Sequence, residues 1–266
     1  AQESRGLGDV YKRQGGGGGN LASGGLATVG GGEDNQATNH YATIGGGRGN
    51  RAYGASATVG GGQGNDANGD FAVIPGGKHN EAADYAFAAG CRAKANHQGA
   101  FVWGDSTDAN IASTANNSVT FRASGGYRLF SNSGATAGVS LAAGGGAWTT
   151  ISDRRAKENF VPVDPRRVLE KVAVLPIAEW NYKSQDARIR HLGPTAQDFR
   201  AAFGLGESDT GITTVDADGV ALAAIQGLNQ KLEARSQELE AENAELKARL
   251  ERLERLLETR LAGGAQ

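Results

Sequence analysis

The chain has 266 residues, and its 27 Lys and Arg against 29 Asp and Glu give a net charge of −2, so no basic surface indicates a nucleic-acid partner. Its single cysteine, Cys91, excludes an intrachain disulfide. No run of about 18 apolar residues indicates insertion into a membrane. Glycine is concentrated before Ser152, where 34 of the 42 glycines lie, whereas charged residues number 20 in the first 151 positions and 36 in the last 115. Two physically different parts therefore meet at Ser152.

The first residues are left out of the fold prediction. Residues 9–14 read DVYKRQ, which looks like the translation of a common sequencing-library adapter. We therefore interpret residues 1–14 as an artefact segment.

A repeat of fifteen residues follows, with the form A-T-[IV]-G-G-G-x-x-N-x-A. Its most regular members are four asparagines in step: Asn35, Asn50, Asn65 and Asn80. A fixed period with β-branched residues between glycine and asparagine predicts a solenoid, in which each repeat gives a strand of about four residues and a corner where glycine or asparagine takes a positive φ. A disordered glycine-rich linker is the alternative, but it would not keep asparagine in step.

These copies resemble the head repeats of trimeric autotransporter adhesins (the YadA type), over about residues 26–101. The resemblance implies a left-handed β-roll packed three together. We assign residues 15–101 to this solenoid and residues 102–151 to a β-rich stem of hairpins or further coils. His40, His79 and His97 lack metal-ligand spacing and are interpreted as solvated turn residues, so no metal and no cofactor is expected.

The junction reads ISDRRAKENF, which places Ser152 five positions before Lys157. If Asp153 caps a helix that starts at Arg154, Lys157 is the fourth helical residue, and its amine meets the Ser152 hydroxyl. A serine and a neutral lysine can cleave a peptide bond, and the free amides of the first helical turn could bind an oxyanion.

Such a base requires a desolvated lysine. Trp148, Phe160 and Val161 are the apolar residues expected to exclude water, and Arg154 and Arg155 would disfavour another positive charge. The competing interpretation is that Ser152 and Asp153 only cap a surface helix and that Lys157 is solvated.

The stretch SDRRAKEN, preceded by GGGAW, resembles the start of the intramolecular chaperone domain of phage endosialidase tailspikes and tail fibres, the S74 peptidase family. A second block, GPTAQD from Gly193, matches the G-x-x-A-Q-[DE] element of that family, and a closing helix follows, so the resemblance covers about residues 144–257. It implies a domain that assembles three chains and then cuts itself off between Ile151 and Ser152, with Ser152 as nucleophile and Lys157 as general base. Asp153, Asn159 and His191 are secondary candidates, interpreted as cap, turn or packing residues.

The remaining pattern predicts an α+β domain over residues 152–219. A helix starts at Asp164 and Pro165 and stops before Pro176, and a strand covers residues 177–182. A helix over residues 195–203 ends at Gly204. Residues 212–215 are predicted as a second strand that turns at residues 218–219.

A long helix over residues 220–261 carries apolar residues every seven positions, namely Ile225, Leu232, Leu239, Leu246 and Leu253. Its companion positions hold Asn229, Ser236, Asn243, Leu250 and Leu257. This pattern predicts a coiled coil in which buried asparagines fix the register. Two or three strands would both fit, and the repeat and the family favour three. A nucleic-acid-binding zipper is disfavoured because the preceding residues are not basic.

The sequence therefore predicts a homotrimeric virion tail-fibre or bacterial cell-surface protein with a self-releasing chaperone. A host-cell receptor is a further expected partner, whereas nucleic acid and membrane insertion are not expected. The alternative is a trimeric structural adhesin or tail-fibre protein whose C-terminus only trimerises and never cuts.

Overall fold

The computed structural model describes residues 12–263, with side chains in the last helix up to Glu258. The chain forms two compact units that divide between Ile151 and Ser152. The first is a β-solenoid, and the second is a small α+β domain that ends in a long helix, so the predicted fold class is confirmed.

Parallel ladders build the first unit, because each repeat pairs with the repeats before and after it. In register, Thr43 pairs with Thr28 on one side and Thr58 on the other. Sheet A consists of Arg13–Gln14, Thr28–Val29, Thr43–Ile44, Thr58–Val59, Val73–Ile74, Gly77–Lys78, Phe87–Cys91, Phe101–Gly104 and Val119–Arg122. Sheet B consists of Leu21–Ala22, Gln36–Ala37, Arg51–Ala52, Asp66–Ala67, Glu81–Ala82, Ala93–Ala95 and Ile111–Ala112. A third ladder starts with Gly17–Gly18 and Gly32–Glu33 and continues as single bridges to Lys78.

The predicted four-residue strands are wrong for the regular repeats, where each strand has two residues. Three short ladders share each fifteen-residue coil, because tight corners leave room for no more. The interior is correspondingly thin. Its apolar part consists of alanines and one larger residue per coil, such as Val29, Ile44, Val59 and Ile74, all fully buried.

The repeated asparagines lie between two short strands, at the predicted corners, but they do not take the positive φ expected there. They are fully buried, and each side chain bonds to the next one along the solenoid. Positive φ falls instead on glycines and on bulky residues such as Tyr41 (φ 58°) and Phe71 (φ 57°). At Gly47, whose φ is 93°, an added Cβ would lie 2.2 Å from the Gly62 carbonyl oxygen, so the close approach of successive coils requires glycine.

From Thr28 onward, the outward row of sheet A carries uncharged side chains, whereas Arg13, which pairs with Thr28, is charged. It consists of Thr28, Thr43, Thr58, Val73, Phe87, Phe101 and Val119. Phe87 and Phe101 stack with ring centroids 4.4 Å apart. Sheet B instead carries ion pairs on its outer side, including Lys94 with Glu81 at 2.6 Å.

Both alternatives proposed for residues 102–151 occur. The parallel ladders continue to Val119–Arg122, beyond the 15–101 range assigned to the repeat. Tyr127–Phe130, Gly138–Leu141 and Thr149–Thr150 then form an antiparallel sheet. At the other end, Arg13–Gln14 pairs with Thr28–Val29, so part of the segment interpreted as an artefact joins the solenoid. Residues 1–11 of that segment lie outside the described residues.

The second unit contains helices α1 (Pro165–Val174), α2 (Ala196–Phe203) and α3 (Thr214–Gly263). The predicted bounds of α1 and α2 are confirmed, since Asp164 and Thr195 accept hydrogen bonds from the first-turn amides and Gly204 closes α2 with φ 69°. The predicted strand at residues 177–182 is observed as Ala178–Trp180, which pairs antiparallel with His191–Gly193. The core consists of Val168, Phe199, Val220 and Ala224.

The predicted strand at residues 212–215 and the turn at residues 218–219 are wrong, because α3 already begins at Thr214. The Thr213 hydroxyl accepts the Asp216 amide at 3.1 Å and donates to the Asp216 carboxylate at 2.7 Å. These two hydrogen bonds cap the first turn of α3 and give the Asp216 amide an acceptor. They outweigh the strand preference of the β-branched residues in this segment.

Candidate functional site

Ser152 and Lys157 lie at the two ends of one 3-10 turn, Arg154–Ala156. Asp153 is the N-cap, and its carboxylate accepts the Arg155 amide at 2.9 Å. Lys157 is the C-cap, and its amide donates to the Arg154 carbonyl at 3.2 Å. The turn brings Lys157 Nζ to 2.6 Å from Ser152 Oγ. A hydroxyl and an amine at this distance can exchange a proton directly.

The expected α-helix at the junction is not formed. The turn spans three residues, and Lys157 leaves it with extended backbone (φ −125°, ψ 149°) rather than as a fourth helical residue. The physical reason lies downstream, where Asn159 has φ 55° and reverses the chain. The Arg154 guanidinium then lies 4.9 Å from the Phe160 ring centroid. This cation–π contact closes a loop around Lys157, and sequence reasoning did not identify it.

The amides of the turn are only partly engaged. Those of Arg155, Ala156 and Lys157 donate to Asp153 or Arg154. Within the described part of the chain, the amides of Asp153 and Arg154 have no acceptor. These two N–H groups, next to Ser152, are therefore the ones that could bind an oxyanion formed at the preceding carbonyl.

The apolar enclosure predicted around Lys157 is wrong for the single chain. Ser152 and Lys157 are exposed. Phe160 is 58% exposed and Val161 82% exposed, while Trp148 packs edge-on against Tyr127 in the first unit. In this solvated arrangement Lys157 Nζ donates to Ser152 Oγ. General-base catalysis needs the opposite polarity, in which a neutral amine accepts the hydroxyl proton.

The secondary candidates Asp153 and His191 make their side-chain contacts away from Ser152 and Lys157. Asp153 forms an exposed ion pair with Arg155 at 2.8 Å, and the hydrogen bonds from the Arg155 side chain and then its amide hold the pKa of Asp153 below its usual value. Asp153 is thus a cap. His191 bonds through Nε2 to Gln185 at 2.9 Å and packs on Trp180 and Tyr182, and none of these contacts involves Ser152 or Lys157.

Two further features of the described residues bear on function. Among residues 12–263, no group of three or more His, Cys, Asp or Glu side chains is arranged to hold a metal ion. Within the same residues, none of the helices combines the length and apolar character needed to cross a membrane. Of the histidines interpreted as solvated turn residues, His97 differs, because its Nδ1 lies 2.7 Å from Ser113 Oγ.

Comparison with known protein families shows a match at the start of the second unit. Residues 152–204 match the family model of peptidase S74, described as chaperone of endosialidase. The match confirms the predicted resemblance for these residues and supports a chaperone role for this segment. It begins at Ser152, the first residue of the second unit. None of the curated proteins matches the chain.

Proposed function

We propose that this chain, whose residues 152–204 match the chaperone of endosialidase family, carries a self-releasing chaperone that assembles three copies and then cuts the bond between Ile151 and Ser152. Ser152 is the nucleophile and Lys157 the general base. The observation that carries the proposal is the 2.6 Å separation of Lys157 Nζ and Ser152 Oγ at the start of the matched segment.

The reaction is an acyl transfer. Lys157 Nζ takes the hydroxyl proton as Ser152 Oγ attacks the Ile151 carbonyl carbon, and the amides of Asp153 and Arg154 stabilise the oxyanion. The carbon–nitrogen bond then breaks, and the Ser152 nitrogen receives the proton from Lys157 and leaves as an amine. Water hydrolyses the ester between Ile151 and the Ser152 oxygen. The products are a chain that ends in the Ile151 carboxylate and a chain that begins with Ser152.

Assembly is proposed to switch this reaction on. The single chain leaves Lys157 in water, where its amine donates to Ser152 instead of accepting a proton. Covering Phe160 and Val161, which are 58% and 82% exposed, with another copy would exclude water and favour the neutral amine. Cleavage would then follow assembly rather than precede it.

Surfaces that would accommodate further copies exist in both units. Helix α3 exposes a row of leucines that includes Leu232, Leu246 and Leu253, each more than half exposed. From Thr28 onward, the outward row of sheet A is uncharged and includes Phe87 and Phe101. Parallel ladders have few local contacts and nucleate slowly, so a helical domain that holds copies together would assist them. Removal of that domain would leave the finished solenoid kinetically trapped.

The proposed setting is a virion tail fibre or the bacterial cell surface, with the solenoid presented to a host-cell receptor. The chaperone family and the fibre-like solenoid support this setting. The receptor would contact the solenoid, because the proposed cut releases the second unit.

Intact mass and denaturing gels of the expressed chain test the proposal. The unaltered chain should give two fragments, the second beginning at Ser152, whereas Ser152→Ala and Lys157→Ala should stay full length. Ser208→Ala and Lys183→Ala change exposed residues of the same unit and serve as matched controls that should be cut normally. A single intact band from the unaltered chain, under conditions where trimers form, would overturn the proposed cleavage.

The second candidate function is a trimeric adhesin or tail-fibre protein that never cuts itself. The exposure of Lys157 favours it, because a solvated ammonium cannot act as a base. Intact trimers of the unaltered chain would support this function, and two fragments would exclude it.

A further inference from the structure

One row of corners in the solenoid carries aromatic residues in a backbone conformation that such residues rarely adopt. Tyr41, Phe71 and Tyr85 have φ angles of 58°, 57° and 56°, and each residue is at least half exposed. Glycine and asparagine take this conformation more readily, and Gly99 (φ 66°) and Asn117 (φ 57°) occupy later corners of the same row. The corner backbone therefore does not require an aromatic residue. Unfavourable φ angles at exposed rings indicate a functional position.

Successive coils place these corner residues one above the other. The amide of each corner residue donates to a carbonyl of the preceding coil, as in Tyr41 to Gly25, Ser56 to His40 and Phe71 to Ala55, at 2.8–2.9 Å. Ser56 therefore lies between Tyr41 and Phe71. Neighbouring strands are about 4.8 Å apart, so the backbones of Tyr41 and Phe71 are separated by about 9.5 Å. The space between these two side chains, above the half-buried Ser56, is the corner slot.

We propose that the corner slot binds one ring of an uncharged carbohydrate. Carbon atoms in contact are about 3.5–4 Å apart, so a ring held between two aromatic side chains needs about 7–8 Å, which two coil spacings provide. The other side of Phe71 is already occupied, because Phe71 and Tyr85 stack with ring centroids 5.2 Å apart. The inference deepens the proposed receptor binding of the solenoid and rests on it.

A carboxylate at the rim of the corner slot supplies the polar contact that a sugar requires. Asp70 precedes Phe71, and its Oδ1 accepts the Ala55 amide at 2.7 Å, which holds the carboxylate beside Ser56. Among residues 12–263, Asp70 Oδ2 has no hydrogen-bond partner. This oxygen can therefore accept a hydroxyl from the edge of a sugar ring whose C–H faces contact Tyr41 and Phe71.

The composition of the corners favours a neutral sugar over other ligands. Four corner segments contain four aromatic residues and no Leu, Ile, Val, Met, Lys or Arg. These segments are residues 38–41, 53–56, 68–71 and 83–85. Because they lack Lys and Arg and include Asp70 and Asp84, the corners repel a polyanionic polysaccharide. A protein partner is disfavoured, because the slot is one residue wide, whereas a stable interface buries about 800 Å² on each partner.

Saturation-transfer NMR on the full chain tests the site. The probes are methyl glycosides of glucose, galactose, mannose and N-acetylglucosamine, each at about 10 mM, because a ligand of this size binds with a Kd on the order of 1 mM. At least one glycoside should receive saturation from the protein. Alginate, a polyanionic polysaccharide, and choline, a cation that also suits aromatic faces, should receive none. Saturation of none of the four glycosides, or equal saturation of alginate or choline, would overturn the proposal.

Two variants locate the binding in the corner slot. Ser56→Tyr fills the slot with a ring, and Tyr41 and Phe71 show that the corner accepts one, so saturation transfer should be lost. Phe71→Asn removes one wall while introducing the residue type that Asn117 brings to this row, and should lower the affinity by at least about fivefold. Phe130→Asn makes the same change at an aromatic residue that is 39% exposed outside the corners, so it is the matched control and should bind normally. Unchanged binding by Ser56→Tyr would exclude the slot as the site.

The outcomes also separate this inference from the proposed assembly and cleavage. A chain that forms trimers and is cut after Ile151, but transfers saturation to none of the glycosides, would exclude the sugar site alone. A chain that binds a glycoside but stays uncut would exclude the cleavage alone. If another copy covers the corners, Phe71→Asn should weaken self-association measured by sedimentation and the glycosides should receive no saturation, which would also overturn the proposal.

Discussion

Lys157 Nζ lies 2.6 Å from Ser152 Oγ across a single 3-10 turn, and both side chains face solvent. Proximity is therefore provided by the local sequence, through the cap at Asp153 and the reversal at Asn159. The exclusion of water that the proposed reaction requires is absent from the single chain, and in the proposed mechanism it comes from assembly.

The first prediction concerns the proton that Lys157 must lose. Lys157→Arg keeps a positive charge and hydrogen-bond donors near Ser152, but a guanidinium does not lose its proton in proteins, so the variant should not be cut at any pH. Time courses on denaturing gels at several pH values measure the cleavage of this variant and of the unaltered chain.

Lys183→Arg is the control for this prediction, because it makes the same change at an exposed lysine of the same unit. It should be cut at the rate of the unaltered chain. Cleavage of Lys157→Arg at that rate would contradict the assignment of Lys157 as base.

The second prediction concerns Asn159, whose φ of 55° turns the chain back so that Phe160 meets Arg154. Glycine takes this conformation freely, whereas a β-branched residue is strained there. Asn159→Gly should therefore be cut at a rate within about threefold of the unaltered chain, and Asn159→Val should be cut at least about tenfold more slowly. Gel time courses of both variants give the rates.

This pair of variants separates a backbone role from a chemical one. The Asn159 side chain has no hydrogen-bond partner within the described residues. If its amide bound the oxyanion during the reaction, Asn159→Gly would lose cleavage together with Asn159→Val. That outcome would exclude the positioning role.

The sequence predicts the start of α1 and the end of α2, because a single residue decides the geometry at each of these positions. The first is Asp164, which precedes Pro165, and the second is Gly204, which follows α2. The start of α3 was missed because β-branched residues before Asp216 favour a strand locally, and only the reciprocal bonds of Thr213 and Asp216 decide for a helix. The signal was present as a threonine three positions before an acidic residue.

The burial of a side chain depends on which coil or helix packs against it, and a single sequence does not reveal this packing. The fifteen-residue period predicts that the asparagines are equivalent and lie at corners, but not that their side chains are buried and hydrogen-bond to one another along the solenoid. The spacing of Ser152 and Lys157 predicts their contact, but not the exposure of Phe160 and Val161 in a single chain. The burial of a side chain is set by its tertiary and quaternary neighbours, so it depends less on local sequence than a helix cap or a short-range contact does.

The third prediction compares two glycines of α3. Alanine favours a helix over glycine by about 1 kcal/mol, so Gly219→Ala, where an added Cβ meets nothing within 4 Å, should raise stability by about that amount. At buried Gly227 the added Cβ would lie 2.2 Å from the Pro165 carbonyl oxygen of α1. Gly227→Ala should therefore lower stability by about 1–3 kcal/mol despite the same gain in helix preference. Urea unfolding followed by circular dichroism at 222 nm, a helix-sensitive wavelength, tests the opposite signs, and a stabilised Gly227→Ala would show that α1 does not pack closely on α3.

The fourth prediction concerns the buried ladder of asparagines. Asn50 Nδ2 donates to the carbonyls of Gly46 at 3.0 Å and Gly62 at 2.9 Å, and its Oδ1 accepts from the Asn65 amide at 3.1 Å. Asn50→Ala would leave the buried Asn65 amide without this acceptor, at a cost of about 1–3 kcal/mol, and would remove one donor from each of the part-buried carbonyls of Gly46 and Gly62. The variant should therefore lower the urea midpoint of the solenoid, measured by β-sheet circular dichroism.

Asn68→Ala is the matched control for the ladder, because it makes the same substitution at an asparagine that is exposed. Asn68 directly follows the buried Ala67. This variant should leave the midpoint unchanged. The midpoint is the appropriate quantity because stacked coils can open in parts, so a single free energy of unfolding is not defined for the array. Equal midpoints for Asn50→Ala and Asn68→Ala would contradict a stabilising ladder, and the regular spacing of asparagine along this chain would then need a cause other than these hydrogen bonds.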